Sequence, residues 1–204
     1  MIAVEPTVLE DRGIRLEPLT ASHREALIGA ASDGQLWELW YTAVPKPDDM
    51  AAYIATALQA QRDGHMVCWV VRDLADDRVV GATRYHDIVP ALDRVEIGHT
   101  WYAQSRQRSA VNTTCKLMLL RHAFETVGCQ VVGLRTDGFN FRSQRAIEAL
   151  GAKKDGVIRH FGIRKDGTAR DTVMYSILAA EWSDVRRHLE LRLERNGGDR
   201  RERS

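Results

Sequence analysis

The 204-residue chain has only three cysteines, an odd number. Cys68, Cys115 and Cys129 fall within apolar or helical patterns, which argues against a disulfide framework and for buried free thiols in a reducing compartment. No group of cysteines and histidines has the spacing of a metal site, so no metal is expected. An excess of either charge is also missing, because 29 basic and 28 acidic side chains leave a formal charge of +1. That balance gives no general reason to bind nucleic acid or a membrane surface, and any anion site must be local. No window comes near 18 uninterrupted apolar residues, and the opening "MIAVEPTVLEDRG" lacks the basic flank and long apolar run of a secretory leader. The expectation is a soluble cytoplasmic protein, and no internal repeat interrupts it.

What is present is ordinary for one globular core: 44% apolar and 28% charged residues. A single domain is expected over residues 1–195. The end, "LELRLERNGGDRRERS", starts helical and turns into charge and glycine, a composition that cannot bury a core, so 196–204 reads as a disordered tail.

"IRLEPL" (14–19) reads as a strand, after which Thr20 or Ser22 caps a helix to about Ala31. "GQLWELWYTAVPKP" suggests a short helix and a loop. In "DDMAAYIATALQAQRDG", Met50, Tyr53, Ile54, Ala57 and Leu58 recur at helical spacing and Gly64 supplies the stop. Three strands follow at 66–73, 78–88 and 94–103, with connections short enough for antiparallel hairpins. Alternation along the third turns Val95, Ile97, His99 and Trp101 one way and Glu96, Gly98, Thr100 and Tyr102 the other, which brings a carboxylate into a sheet. Next come a helix with Leu117, Leu120, Phe124 and Val127 on one stripe, a strand "CQVVGLRTD", a short helix "NFRSQRAIEALGA", and strands at "VIRHFGIR" and "RDTVMYSIL". A helix crossing over within an otherwise antiparallel set implies a mixed α/β fold, a mostly antiparallel twisted sheet flanked by helices.

The stretch "WYAQSRQRSAVNTTCKLMLLRHAFE" joins strand to helix through a polar turn that has arginines and no glycine. A helix N-terminus has unpaired amides and a partial positive charge. Arg106 and Arg108 add charged donors, and Asn112, Thr113 and Thr114 add neutral ones. The turn therefore reads either as a diphosphate cradle or as a capped helix with solvated arginines.

Taken in order, "VEIGHTWY", "QRSAVNTTCKLMLLRHAFE", "GFNFRSQRAIEALGAKKDG" and "RDTVMYSILAAEW" resemble the GNAT N-acetyltransferases, and within them the RimJ/RimL ribosomal-protein alanine acetyltransferase type, over roughly residues 14–182. The resemblance implies the GNAT fold, acetyl-CoA as co-substrate, and acetyl transfer to a primary amine, either a protein N-terminus or a small molecule. On the family's Gln/Arg-x-x-Gly-x-Gly/Ala loop, Gln107 matches the first position, while Ala110 and Asn112 stand at the glycine positions. Arg106, Gln107, Arg108, Ser109, Ala110, Val111, Asn112 and Thr113 are thereby candidate cofactor residues. The resemblance also implies a bulge in the third antiparallel strand, and the backbone beyond it, about Trp101, Tyr102 and Ala103, is implied to take the pantetheine amides and the acetyl carbonyl.

Amine acetylation needs an uncharged nucleophile, so a base is useful, as is an acid for the departing thiolate. Glu96 is the candidate base, directly or through water, or else it is paired with an arginine such as Arg84. Asn140 matches the family's contact to the CoA arm, or simply caps its helix. Ser143 serves as acid, as an orienting group, or in the first helical turn alone. Tyr175 is an alternative acid whose apolar neighbours favour core packing. Trp37, Trp40, Tyr41, Tyr85 and His86, with Arg159, line an acceptor pocket or belong to the core. Antibiotic or peptide detoxification, and a non-catalytic CoA-binding regulatory module, stay open beside the main reading. A primary-amine acceptor is the implied partner, and homodimerisation is left open.

Overall fold

A computed structural model describes residues 1–201, with side chains as far as Arg195. Eight strands form one sheet in the order β1-β2-β3-β4-β5-β6-β8-β7. They are β1 Leu9–Asp11, β2 Ile14–Pro18, β3 Val67–Asp73, β4 Arg78–Val89, β5 Arg94–Tyr102, β6 Val131–Asp137, β7 Lys153–Ile163 and β8 Ala169–Leu178. The helices are α1 Arg24–Ser32, α2 Met50–Arg62, α3 Val111–Arg121, α4 Phe141–Glu148 and α5 Trp182–Arg201. All neighbours pair antiparallel except β5 and β6, which run parallel because α3 crosses over between them. The mixed, mostly antiparallel class expected from the sequence is the one observed. The break expected after Arg195 concerns 196–204, whose side chains, together with 202–204 altogether, lie outside the described residues; the helix itself continues to Arg201.

Two cores form, one on each face of the sheet. On one face α3 and α5 cover Trp69, Tyr85, Val95, Ile97, Val132 and Tyr175. On the other, α1 and α2 cover Cys68, Val70, Ala82 and Trp101. In α2 the buried residues Met50, Ile54 and Ala57 follow the expected stripe, and Gly64 ends it at φ +77°, a conformation glycine adopts without strain. All three cysteines are buried and free. Beyond Arg121 the helix continues as a π-helical turn, His122–Val127, closed by Gly128 at φ +82°.

β5 departs from simple alternation. Gly98 faces Arg84 and Trp101 faces Ala82, so three steps on β5 match two on β4, and His99 takes φ +49°. This bulge reverses the strand's faces. Val95 and Ile97 lie on the α3 side, but so does Tyr102, whereas Trp101 turns to the α1–α2 side. The expectation that Val95, Ile97, His99 and Trp101 share a face is corrected accordingly. Tyr85, expected at an acceptor pocket, is instead wholly buried beside Trp69 and donates its hydroxyl hydrogen to the Leu119 carbonyl. No helix among the described residues is long and apolar enough to cross a membrane.

Candidate active site

β5 and β6 are joined only at their starts, through Arg94↔Val131, Val95↔Val132 and Glu96↔Gly133. Beyond Glu96 the bulge bends β5 away and no further pairs form. The gap is a cleft of about 540 Å³ lined by residues from both faces of the sheet. At one end it meets the start of α3 and the inner face of α4; at the other it meets the loop Leu36–Val44 on the α1–α2 side.

Of the expected cofactor residues, Trp101, Tyr102, Arg106, Gln107, Arg108, Ser109, Asn112 and Thr113 line this cleft, together with Asn140 and Ser143. Ala103, Ala110 and Val111 stand behind the wall. The turn before α3 is fixed by its own contacts. Ser105 donates to the Asp33 carboxylate at 2.5 Å, Gln107 Nε2 donates to the Tyr102 carbonyl at 2.9 Å, and Ser109 Oγ accepts from the Val111 amide at 3.3 Å. No side chain caps the N-cap position Ala110, so the next first-turn amides remain directed at a ligand or solvent.

The two arginines of the turn part company. Arg106 lies 3.3 Å from Asp73 and also pairs with Asp76, so its guanidinium is already committed to carboxylates. Arg108 is exposed at the cleft, holds φ +60°, and makes no ion pair among the described residues. Asn140 Oδ1 accepts from the Ser143 amide at 3.0 Å, which is a helix cap. Tyr175 donates to Glu148 at 3.0 Å, and burial followed by that carboxylate pushes its phenol up to about 12; it is a core residue.

Glu96 is buried and does not line the cleft. One oxygen accepts from Arg94 at 2.7 Å, and the other lies 3.5 Å from Arg135, so the pairing is with these two arginines rather than with Arg84. Opposite Glu96 in the ladder is His86, which does line the cleft, its ring packed on Gly98 where a Cβ would come within 2.2 Å of Nε2. Burial and then Arg135 hold the His86 imidazole below its usual range, which keeps it neutral. His99, with its ring 5.1 Å from that of His86, is open to solvent along the cleft yet flanked by Arg84 and Arg135; desolvation and those charges lower it too.

Tyr41 lines the loop end of the cleft, but Trp37 and Trp40 do not. Trp40 sits at the rim, against Tyr41 at 5.6 Å and Phe139 at 5.8 Å, with the Arg164 guanidinium 4.8 Å above it. The Trp37 carbonyl accepts from Lys165, which ties the loop to the β7–β8 turn. Arg159 stands exposed on β7, away from the cleft. Lys116, Arg135, Asp137 and Arg170 line the cleft without having been singled out from the sequence. Helical spacing from Asn112 was a usable signal for Lys116; the others required knowing where β6 leaves β5.

Residues 14–153 match the acetyltransferase (GNAT) domain family. No curated protein matches the chain. Among solved structures, an acetyltransferase from T. thermophilus is 34% identical over 94% of this chain and 100% of its own, with a TM-score of 0.82. A GCN5-related N-acetyltransferase from Brucella melitensis is 25% identical over 93% and 86%, with a TM-score of 0.83. RimJ of Mycobacterium smegmatis, solved with CoA-disulfide, is 20% identical over 86% and 89%, with a TM-score of 0.73, a likeness of fold.

Proposed function

The chain belongs to the GNAT acetyltransferase family, with acetyl-CoA as its co-substrate, and on that footing we propose that it is an N-acetyltransferase acting on a primary amine, a protein N-terminus or a small molecule, by direct attack on the thioester. The observation that carries this reading is the separation of β5 from β6 after Glu96, which opens a passage with an anion-receptive helix start at one end and an aromatic rim at the other.

In this reading the diphosphate lies at the first turn of α3, held by its free amides, Arg108 and Asn112. The pantetheine follows the backbone of Trp101–Ala103, with Asn140 and Ser143 along its arm. The acceptor enters past Trp40 and Tyr41 towards His86. An alkylamine arrives mostly protonated at neutral pH. Glu96 is the general base, acting from behind the wall: the amine's proton reaches it through the neutral His86 ring or a water beside it. Glu96→Gln keeps the shape and removes the basicity, so turnover is expected to fall about 10²- to 10⁴-fold while acetyl-CoA still binds. The loss shrinks as pH rises, because more amine arrives neutral.

Free-CoA release measured over a panel of peptides and small amines tests the whole reading. Release with one acceptor class supports it and identifies the acceptor. Acetyl-CoA binding with no release from any acceptor favours a CoA-binding module instead.

A further inference from the structure

Lys116 stands on α3 four residues after Asn112 and three after Thr113, a spacing that turns all three towards the cleft, which all three line. It is 6% exposed. Its Nζ donates to Thr100 Oγ1 at 2.8 Å, and that oxygen lies 3.3 Å from the Gly98 carbonyl and 2.8 Å from Thr83 Oγ1. The ammonium is thus set against β5 beside the bulge, where the strands part. No carboxylate comes within ion-pairing distance of it among the described residues, and Thr100 occupies one of its three donors. A buried cation without a counter-ion is costly to keep. Such a group suits a negative charge that arrives during the reaction.

Acetyl transfer generates that charge. The amine nitrogen forms a bond to the thioester carbonyl carbon, the carbon–sulfur bond breaks, and sulfur leaves with the electron pair as the CoA thiolate. We propose that the Lys116 ammonium meets this thiolate and stabilises its charge. CoA is left as a thiolate beside the ammonium and takes its proton from solvent on release, while the acceptor's own proton departs on the Glu96 side. The inference rests on the acetyl-CoA reading of the cleft.

Burial brings the Lys116 ammonium down to about 8, so it still carries its charge near neutral pH when the thiolate forms. The titratable groups nearest it do not compete. Burial pushes Cys115 on α3 up to about 12 and raises Tyr102 on β5 well above its usual range, so both stay protonated. Arg142 from α4, Arg192 from α5, and Arg135 and Asp137 from β6 line the same cleft, as do His86 from β4 and His99 from β5. Ser143 is a neutral hydroxyl, able to orient the sulfur but not to offset its charge.

The test is the ultraviolet thiolate absorption of CoA, titrated while bound to the wild type, Lys116→Met and Lys116→Arg, with each ligand-free protein subtracted. In the wild type the bound thiol should titrate about one to three units below free CoA, the effect of a cation in contact. It should return to the free value in Lys116→Met and stay low in Lys116→Arg. A wild-type bound thiol that titrates like free CoA overturns the proposal with no variant needed. A depression that survives in Lys116→Met also overturns it. Melting shifts with CoA in the same samples read binding separately: no shift in the wild type overturns the acetyl-CoA reading itself.

Discussion

Removing the charge from Lys116 is expected to stabilise the fold near neutral pH, even as it impairs the site. Its folded value of about 8 lies below the 10.5 of an exposed lysine. Below pH 8 both folded and unfolded chains carry the proton, and the folded one bears the full burial penalty, roughly 2 to 4 kcal/mol. Between pH 8 and 10.5 the unfolded chain binds more protons, so this penalty fades as pH rises. Lys116→Met, after losing one hydrogen bond worth about 1 kcal/mol, should unfold at higher denaturant than wild type at pH 7, and the gap should close towards pH 10. The arginines of the α3 turn give a second contrast. Arg108→Ala should weaken acetyl-CoA binding by about 1.5 to 3 kcal/mol through loss of a charged hydrogen bond. Arg106→Ala should leave affinity nearly unchanged and cost the fold about 0 to 1 kcal/mol, because Asp73 and Asp76 hold its side chain. Calorimetric titration separates the two, and equal losses of affinity would contradict the assignment. At this scale the sequence was legible where neighbours in the chain suffice: Gln107, Arg108, Asn112, Thr113, Asn140 and Ser143 all line the cleft. It was illegible for Tyr85 and Arg106, whose contacts depend on partners 34 and 30 residues distant in the chain, and for the second half of the Glu96 pairing, which comes from Arg135 on β6.

At the scale of elements, α4 starts at a residue whose cap and whose proposed CoA contact can be tested apart. Asn140 Oδ1 caps the helix through the Ser143 amide, and an aspartate there would cap equally well. Asn140→Asp should therefore keep the melting temperature, whereas Asn140→Ala should lose about 1 kcal/mol of stability. If the free amide nitrogen meets the CoA arm, both substitutions weaken acetyl-CoA binding; if the residue only caps, Asn140→Asp binds as the wild type does. The strands and helices were readable from periodicity because each buries one face. Two features were not. β1 was missed because its three residues carry no pattern of their own; it is defined by Arg12 and Gly13, both at positive φ, which fold it back on β2. The reversal within β5 is not readable from alternation, which assumes one residue per step; the bulge at His99, implied only by the family resemblance, inserts an extra one.

For the whole molecule, α5 is anchored by Trp182, Val185, Leu189 and Leu193, all buried before Arg195. A chain ending at Arg195 should keep its melting temperature and its affinity for acetyl-CoA, as checked by thermal unfolding with and without the ligand. One ending before Leu189 should lose both, because the core and the cleft-lining Arg192 go with it. The position of the cleft between the two faces of the sheet carries a further consequence. Under the proposed function, the donor reaches the cleft from the α3 side and the acceptor from the side of the Leu36–Val44 loop, so the two do not compete for one approach. In that reading, the size of the acceptor is set at the Trp40 and Tyr41 end and not by the depth of the nucleotide end.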